Sequence, residues 1–171
     1  MNQDPTAYFT EFIEFFPALE LPLSLLPDIR RIPTDSIPLP AILLEEYIYP
    51  IEGDEIDEYT EYIPYGRIEG MHPFEAVIYW KAGVMQYEFI LATFTKQGLP
   101  ISHAIIGGIR SDEDVILHSV AVIHEDLSIT IAEAIAENED ANLARQSNTY
   151  QMSIDSSGII NYDLNEEDTE G

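Results

Sequence analysis

The chain has 171 residues, with 32 acidic side chains against seven basic ones, a formal charge of −25 and no cysteine. That length suits one domain with a real core, and the missing thiols exclude disulfides, thiolate metal sites and cysteine nucleophiles. The charge opposes direct binding to nucleic-acid backbones or anionic membranes and favours a cationic partner. With 46% hydrophobic and 11% aromatic residues, the chain is no disordered polyanion.

The first element is a helix. Asp4 is a candidate N-cap and Pro5 suits the first helical position, where its missing N–H costs nothing. Tyr8, Phe9, Phe12, Ile13, Phe15 and Phe16 then give a wide apolar face, and Pro17 ends it. Leu21–Pro27 is too proline-broken for a strand and predicts an extended apolar strap on the core. Residues 40–49 predict a second short helix from the spacing of Ile42, Leu43, Glu46 and Tyr47. Ten of the eleven prolines lie in the first 73 residues, so that part is expected to be irregular with short helices.

Beyond residue 73 the period changes to strands. Phe74–Trp80 and Val84–Thr95 are rich in β-branched and aromatic residues, with a hairpin turn expected at Lys81-Ala82-Gly83. Strands are then predicted over Leu99–Ile109, Asp114–His124, Leu127–Ala136, Thr149–Ile154 and Gly158–Leu164. Their short connections require antiparallel pairing. Apolar residues on both faces of Tyr87–Phe94 and Val115–His124 mean that the sheet is covered on both sides or curls on itself. The fold class expected is α+β, a mainly antiparallel, meander-like sheet of about six to seven strands carrying the N-terminal helix and the strap. One domain is expected over 1–164, divided into a proline-rich part (1–73) and the sheet (74–164). Residues 165–171 form an acidic tail.

The densest functional signal is Glu45–Glu61. It holds eight carboxylates, among them Glu52, Asp54, Glu55, Asp57 and Glu58, with Tyr47, Tyr49, Tyr59 and Tyr62 interleaved and no basic residue. Tyrosine supplies rigid contact area and the acids steer a basic partner, so this pattern fits a protein-recognition surface. A solvated acidic loop is the competing reading. Asp54–Glu58 lacks the alternating oxygen ligands of an EF-hand loop, so calcium is not expected. Asp112-Glu113-Asp114 is the second candidate for partner binding, against the simpler reading of a charged turn. Glu125-Asp126 and Glu137–Asp140 fall in alternate connectors and would add to one negative rim if the topology brought them together.

His103 and His118 would be neighbours if the third and fourth strands paired in one register, but no third metal ligand accompanies them. No metal and no cofactor are expected. There is no nucleophile elbow, no phosphate-cradling glycine loop and no His-Glu-x-x-His. Ile106-Gly107-Gly108-Ile109 is better explained by a bulge than by a ligand site.

Three segments carry a resemblance: Phe15–Pro22, Phe94–Ser102 and Ile123–Ile129. They resemble small, mostly uncharacterised bacterial proteins with a strand–turn–strand pattern of this kind. In size, acidity and lack of an export signal the chain is also similar to immunity proteins of bacterial toxin–immunity pairs. What that resemblance implies is a non-enzymatic inhibitor that binds and occludes a cognate toxin, such as a basic nuclease. It transfers no catalytic or binding residue. No positive n-region precedes an apolar run, and no run reaches the roughly 20 residues that span a bilayer, so a cytoplasmic protein is expected. The alternatives are a ligand-binding or enzymatic β-rich domain using the sheet histidines, and an adaptor that inhibits nothing.

Overall fold

The computed structural model describes residues 5–26, 37–53, 58–70, 72–112, 115–137 and 144–163. Helix α1 (Pro5–Glu14) begins at the expected proline, and Asp4 lies outside the described residues. Two short strands follow, β1 (Ala18–Leu19) and β2 (Leu23–Leu25). A helical run comes next: α2 (Ala41–Leu43), a π-helical turn over Leu44–Ile48, and α3 (Tyr49–Glu52). The remaining strands are β3 (Glu61–Ile68), β4 (Phe74–Gly83), β5 (Gln86–Thr95) and β6 (Pro100–Asp112). β7 (Val115–Ile123), β8 (Ser128–Glu137), β9 (Ala144–Ile154) and β10 (Ile160–Asp163) complete them.

The ten strands form one sheet, more than the six to seven expected. From β3 to β10 they stand in sequence order as an antiparallel meander; β1 pairs β3 in parallel and β2 pairs β7. The extra strands come from the proline-rich part. β3 contains Pro64 but tolerates it for two reasons: a bulge between Pro64 and Gly66 breaks the ladder, and β1 flanks only Arg67 and Ile68 on the other side. The strap is partly strand as well, because Leu23–Leu25 falls between Pro22 and Pro27, where every N–H is available.

One hairpin turn is shifted. Gly83 pairs with Gln86, so the chain reverses at Val84-Met85 and not at Lys81-Ala82-Gly83. Met85 takes a φ of 62°, a conformation that asparagine or glycine adopts more readily.

The sheet curls. Ile78 and Trp80 of β4, Phe89 and Leu91 of β5, Ile131 of β8 and Met152 of β9 belong to one buried cluster. At one end the β9–β10 turn reaches back to β5, where the Thr93 hydroxyl donates to the Gly158 carbonyl (2.6 Å). The Ile160 N–H donates to Ser102 Oγ of β6 (3.2 Å). Leu19, Leu21, Leu23 and Leu25 of the strap all pack into this cluster, every second residue pointing inward. On the opposite face, Phe9, Phe12 and Phe16 join Leu43, Tyr47 and Ile48 over Val77, Tyr79, Ile90 and Phe94. Both faces are thus covered, as their two-sided apolar pattern requires. Gly98 lets α1 approach: its φ is +94°, and a Cβ there would meet the Phe9 ring at 2.9 Å.

Asp155 organises the β9–β10 turn. Its Oδ1 accepts from the Ser157 N–H (2.9 Å), the Ser157 hydroxyl (2.6 Å) and the Ile159 N–H (3.1 Å). The Ser157 hydroxyl bond leads in pulling its carboxyl down to about 2, with the Ile159 and Ser157 N–H groups adding to it. A lowered folded-state pKa gives stability that is present above the unfolded value and lost as pH falls through the folded one. NMR titration of the Asp155 carboxyl is therefore expected to show a midpoint near 2, and Asp155→Asn should remove the part of the acid-limb slope between pH 4 and 2. An ordinary carboxylate midpoint would mean that the turn is not held this way.

Candidate functional site

The candidate residues of the acidic segment part company. Glu52 closes α3 with its side chain turned inward, 8% exposed, where Oε2 accepts from Lys81 Nζ (2.7 Å) and Oε1 from the Tyr79 hydroxyl (2.6 Å). Burial, and next the Glu52 charge, push the Tyr79 phenol well above its usual range. Glu52 thus anchors the helical run to β4. Glu58 and Tyr59 are exposed, Tyr59 at 70%. Asp54, Glu55 and Asp57 lie outside the described residues, as do Glu113 and Asp114.

Register brings the remaining candidates to one end of the sheet. Glu61 stands opposite Ala82, so Glu58 and Tyr59 lead into β3 beside the β4–β5 turn. There Val84 and Met85 are 75% and 59% exposed. The Ser111 N–H donates to the Met85 carbonyl (3.1 Å), Asp112 pairs with Val115, and Val115 pairs with Glu137. Six strands, β3 to β8, therefore contribute to this end, about 24 Å at the usual strand spacing of ~4.8 Å. Sequence reading missed Val84 and Met85, because valine and methionine look like strand interior. Glu125 and Asp126 follow β7 and precede β8 at the opposite end, so they do not join this rim. Glu139, Asp140 and the tail lie outside the described residues.

Among the basic side chains that the structure describes, Arg67, Lys81, Lys96 and Arg110 pair with Glu69, Glu52, Glu75 and Glu88 respectively.

The histidine pair does not form. His103 stands opposite Ala92, whereas His118 stands opposite Ile109, six residues further along β6 and about 20 Å away. Among the described residues no group of three or more His, Asp or Glu is placed to hold a metal ion. No helix among them is long and apolar enough to cross a membrane.

A cleft of about 210 Å³ opens where β6 and β7 part company. The two strands pair over Gly108–Asp112 and Val115–Ser119, after which β7 takes β2 as its neighbour. The Gly-Gly does two things here. Ile106 is the extra residue of a bulge opposite Phe89 and Ile90, and the two glycines line the cleft without side chains to fill it. Gly108, with φ 141°, lies so close to β5 that a Cβ would overlap the Tyr87 carbonyl. One wall carries Glu88, 3% exposed, whose Oε1 accepts from Gln86 Nε2 (2.6 Å) and Arg110 Nη2 (2.7 Å). The other carries Glu133, which accepts from the Tyr150 hydroxyl (3.0 Å), and Tyr162, whose ring lies 6.3 Å from that of Tyr150. Burial, and then the hydrogen bond to Glu133, hold the Tyr150 phenol above its usual range. No family model matches the chain, and no curated protein and no solved structure is significantly similar to it.

Proposed function

We infer that this chain is an acidic inhibitor of the immunity-protein type, acting in the cytoplasm by binding and occluding a basic toxin such as a nuclease. One observation carries the reading: Glu58, Tyr59, Val84, Met85, Asp112 and Glu137 come from separate elements to one end of the sheet. Exposed apolar and aromatic groups at one sheet end with acidic positions suit a protein interface, in which contact area and charge are combined. Carboxylates there would take the places of phosphates in the partner's substrate site. Asp54, Glu55, Asp57, Glu113 and Asp114 belong to the same two sequence segments and are included in the proposed surface. Glu52, buried against Lys81 and Tyr79, ties the helical run to β4.

The test is isolation of partners from native cells on the tagged full chain, followed by an activity assay of what is retained. A stoichiometric basic protein whose activity falls on adding this chain is the expected result. With that partner, Glu58→Lys combined with Asp112→Lys should slow association at least tenfold at low salt and flatten its salt dependence, as steering predicts. Retention of a partner with no change in its activity would make the chain an adaptor. The ligand-binding or enzymatic alternative drew on the sheet histidines, of which His103 and His118 are not neighbours in this register.

A further inference from the structure

The cleft between β6 and β7 has a chemistry of its own. Its 210 Å³ falls below the roughly 300–1,000 Å³ of drug-sized ligand sites, a size that suits a single side chain. Its lining holds two carboxylates, Glu88 and Glu133, against one guanidinium, Arg110, leaving one negative charge. Both hydrogen bonds to Glu88 fall on Oε1, so Oε2 of this buried carboxylate takes no donor among the described residues. Among the described residues Glu133 receives one bond, from Tyr150, and an ionised carboxylate has room for about four. Tyr150 and Tyr162 add two aromatic rings, and Ile109 and Leu117 add apolar wall. Buried carboxylate, tyrosine faces and an apolar wall are the features that a planar cation on an aliphatic stem requires.

We propose that this cleft receives the guanidinium of an arginine side chain, presented by the basic partner. The guanidinium stacks on the tyrosine rings and donates to Glu133 and to the open oxygen of Glu88. Arg110, held on the Glu88 wall, sits two residues from Asp112, so the cleft adjoins the sheet end described above. The source of the arginine rests on the inhibitor reading; the chemistry of the cleft does not.

The experiment is an NMR titration of the full chain with N-acetyl-L-arginine amide, and with the citrulline amide as an uncharged match. Saturable shifts at the Gly107, Gly108 and Ser119 amides are expected, at least tenfold weaker for citrulline and for Glu133→Gln. Tyr162→Ala, on an exposed side chain, serves if Glu133→Gln does not fold. Shifts that do not saturate, or equal binding of both amides, overturn the site. A captured partner that binds wild type and Tyr162→Ala equally overturns the arginine assignment and leaves the inhibitor reading standing. A saturable arginine amide with no protein partner does the reverse: the guanidinium site stands and only its source is lost.

Discussion

Phe12→Ala is expected to destabilise the protein by about 3–5 kcal/mol, the usual range for a buried phenylalanine. The Phe12 ring is fully buried, with centroids 4.7 Å from Tyr47, 5.0 Å from Phe16 and 5.6 Å from Phe94. It thus joins α1, the π-helical turn and the outer face of β5 in one contact set. Truncation leaves a cavity that three separate elements must close, and helix and sheet cannot both relax toward it. Against a typical total of about 5–15 kcal/mol, such a loss is large enough to read directly in urea denaturation. Phe12→Leu should retain more than half of the stability lost in the alanine variant. A loss below about 1 kcal/mol for Phe12→Ala would mean that α1 is not packed on the sheet.

Lys81→Met should cost about 3–5 kcal/mol, because removing one partner strands a buried charge. Lys81 and Glu52 are 12% and 8% exposed in their side chains, and the Tyr79 hydroxyl alone would remain to meet the carboxylate. The double variant Glu52→Leu/Lys81→Met removes the charge itself and should recover most of the loss, since well-packed apolar replacements of buried pairs are often neutral. The comparison decides what the pair does. If both variants are equally unstable, Glu52 contributes shape and not charge. If neither is, the helical run is fastened to β4 by Tyr47 and Ile48 packing and the ion pair is incidental.

Local signals carried much of the fold. Asp4-Pro5 and the phenylalanine spacing predicted α1, and alternation on residues 115–124 predicted a sheet covered on two sides. Proline misled at β3, because a rule about central strands was applied to a strand whose neighbour touches only its last two residues. The β4–β5 turn was misplaced for a related reason: Lys81-Ala82-Gly83 has turn chemistry, but the ladder from Phe74–Thr95 to Gly83–Gln86 holds ten unbroken pairs and overrides it. The candidate surface was half legible. Acid-and-tyrosine composition marked Glu58 and Tyr59, whereas Glu52 has the same composition around it and faces the interior. Its neighbour Lys81 is 29 residues away, beyond any spacing rule. The cleft was invisible for the same reason, since it depends on a bulge, on the parting of β6 from β7, and on Tyr150 reaching Glu133 across a strand pair.

The pairing of β2 with β7 also sets an order of events during synthesis. Leu23 meets Ile123, so the strap has no site to dock on until a hundred further residues have left the ribosome. At 5–20 residues per second that is a wait of about 5–20 s. The phenylalanines of α1 wait a shorter time, since their partners on β4 and β5 end at Phe94, whereas the leucines of β2 stay without their strand partner through the whole interval. The acidic stretch from Glu45 to Glu61 emerges during the same interval, and its like charges keep neighbouring nascent chains apart while the greasy leader waits.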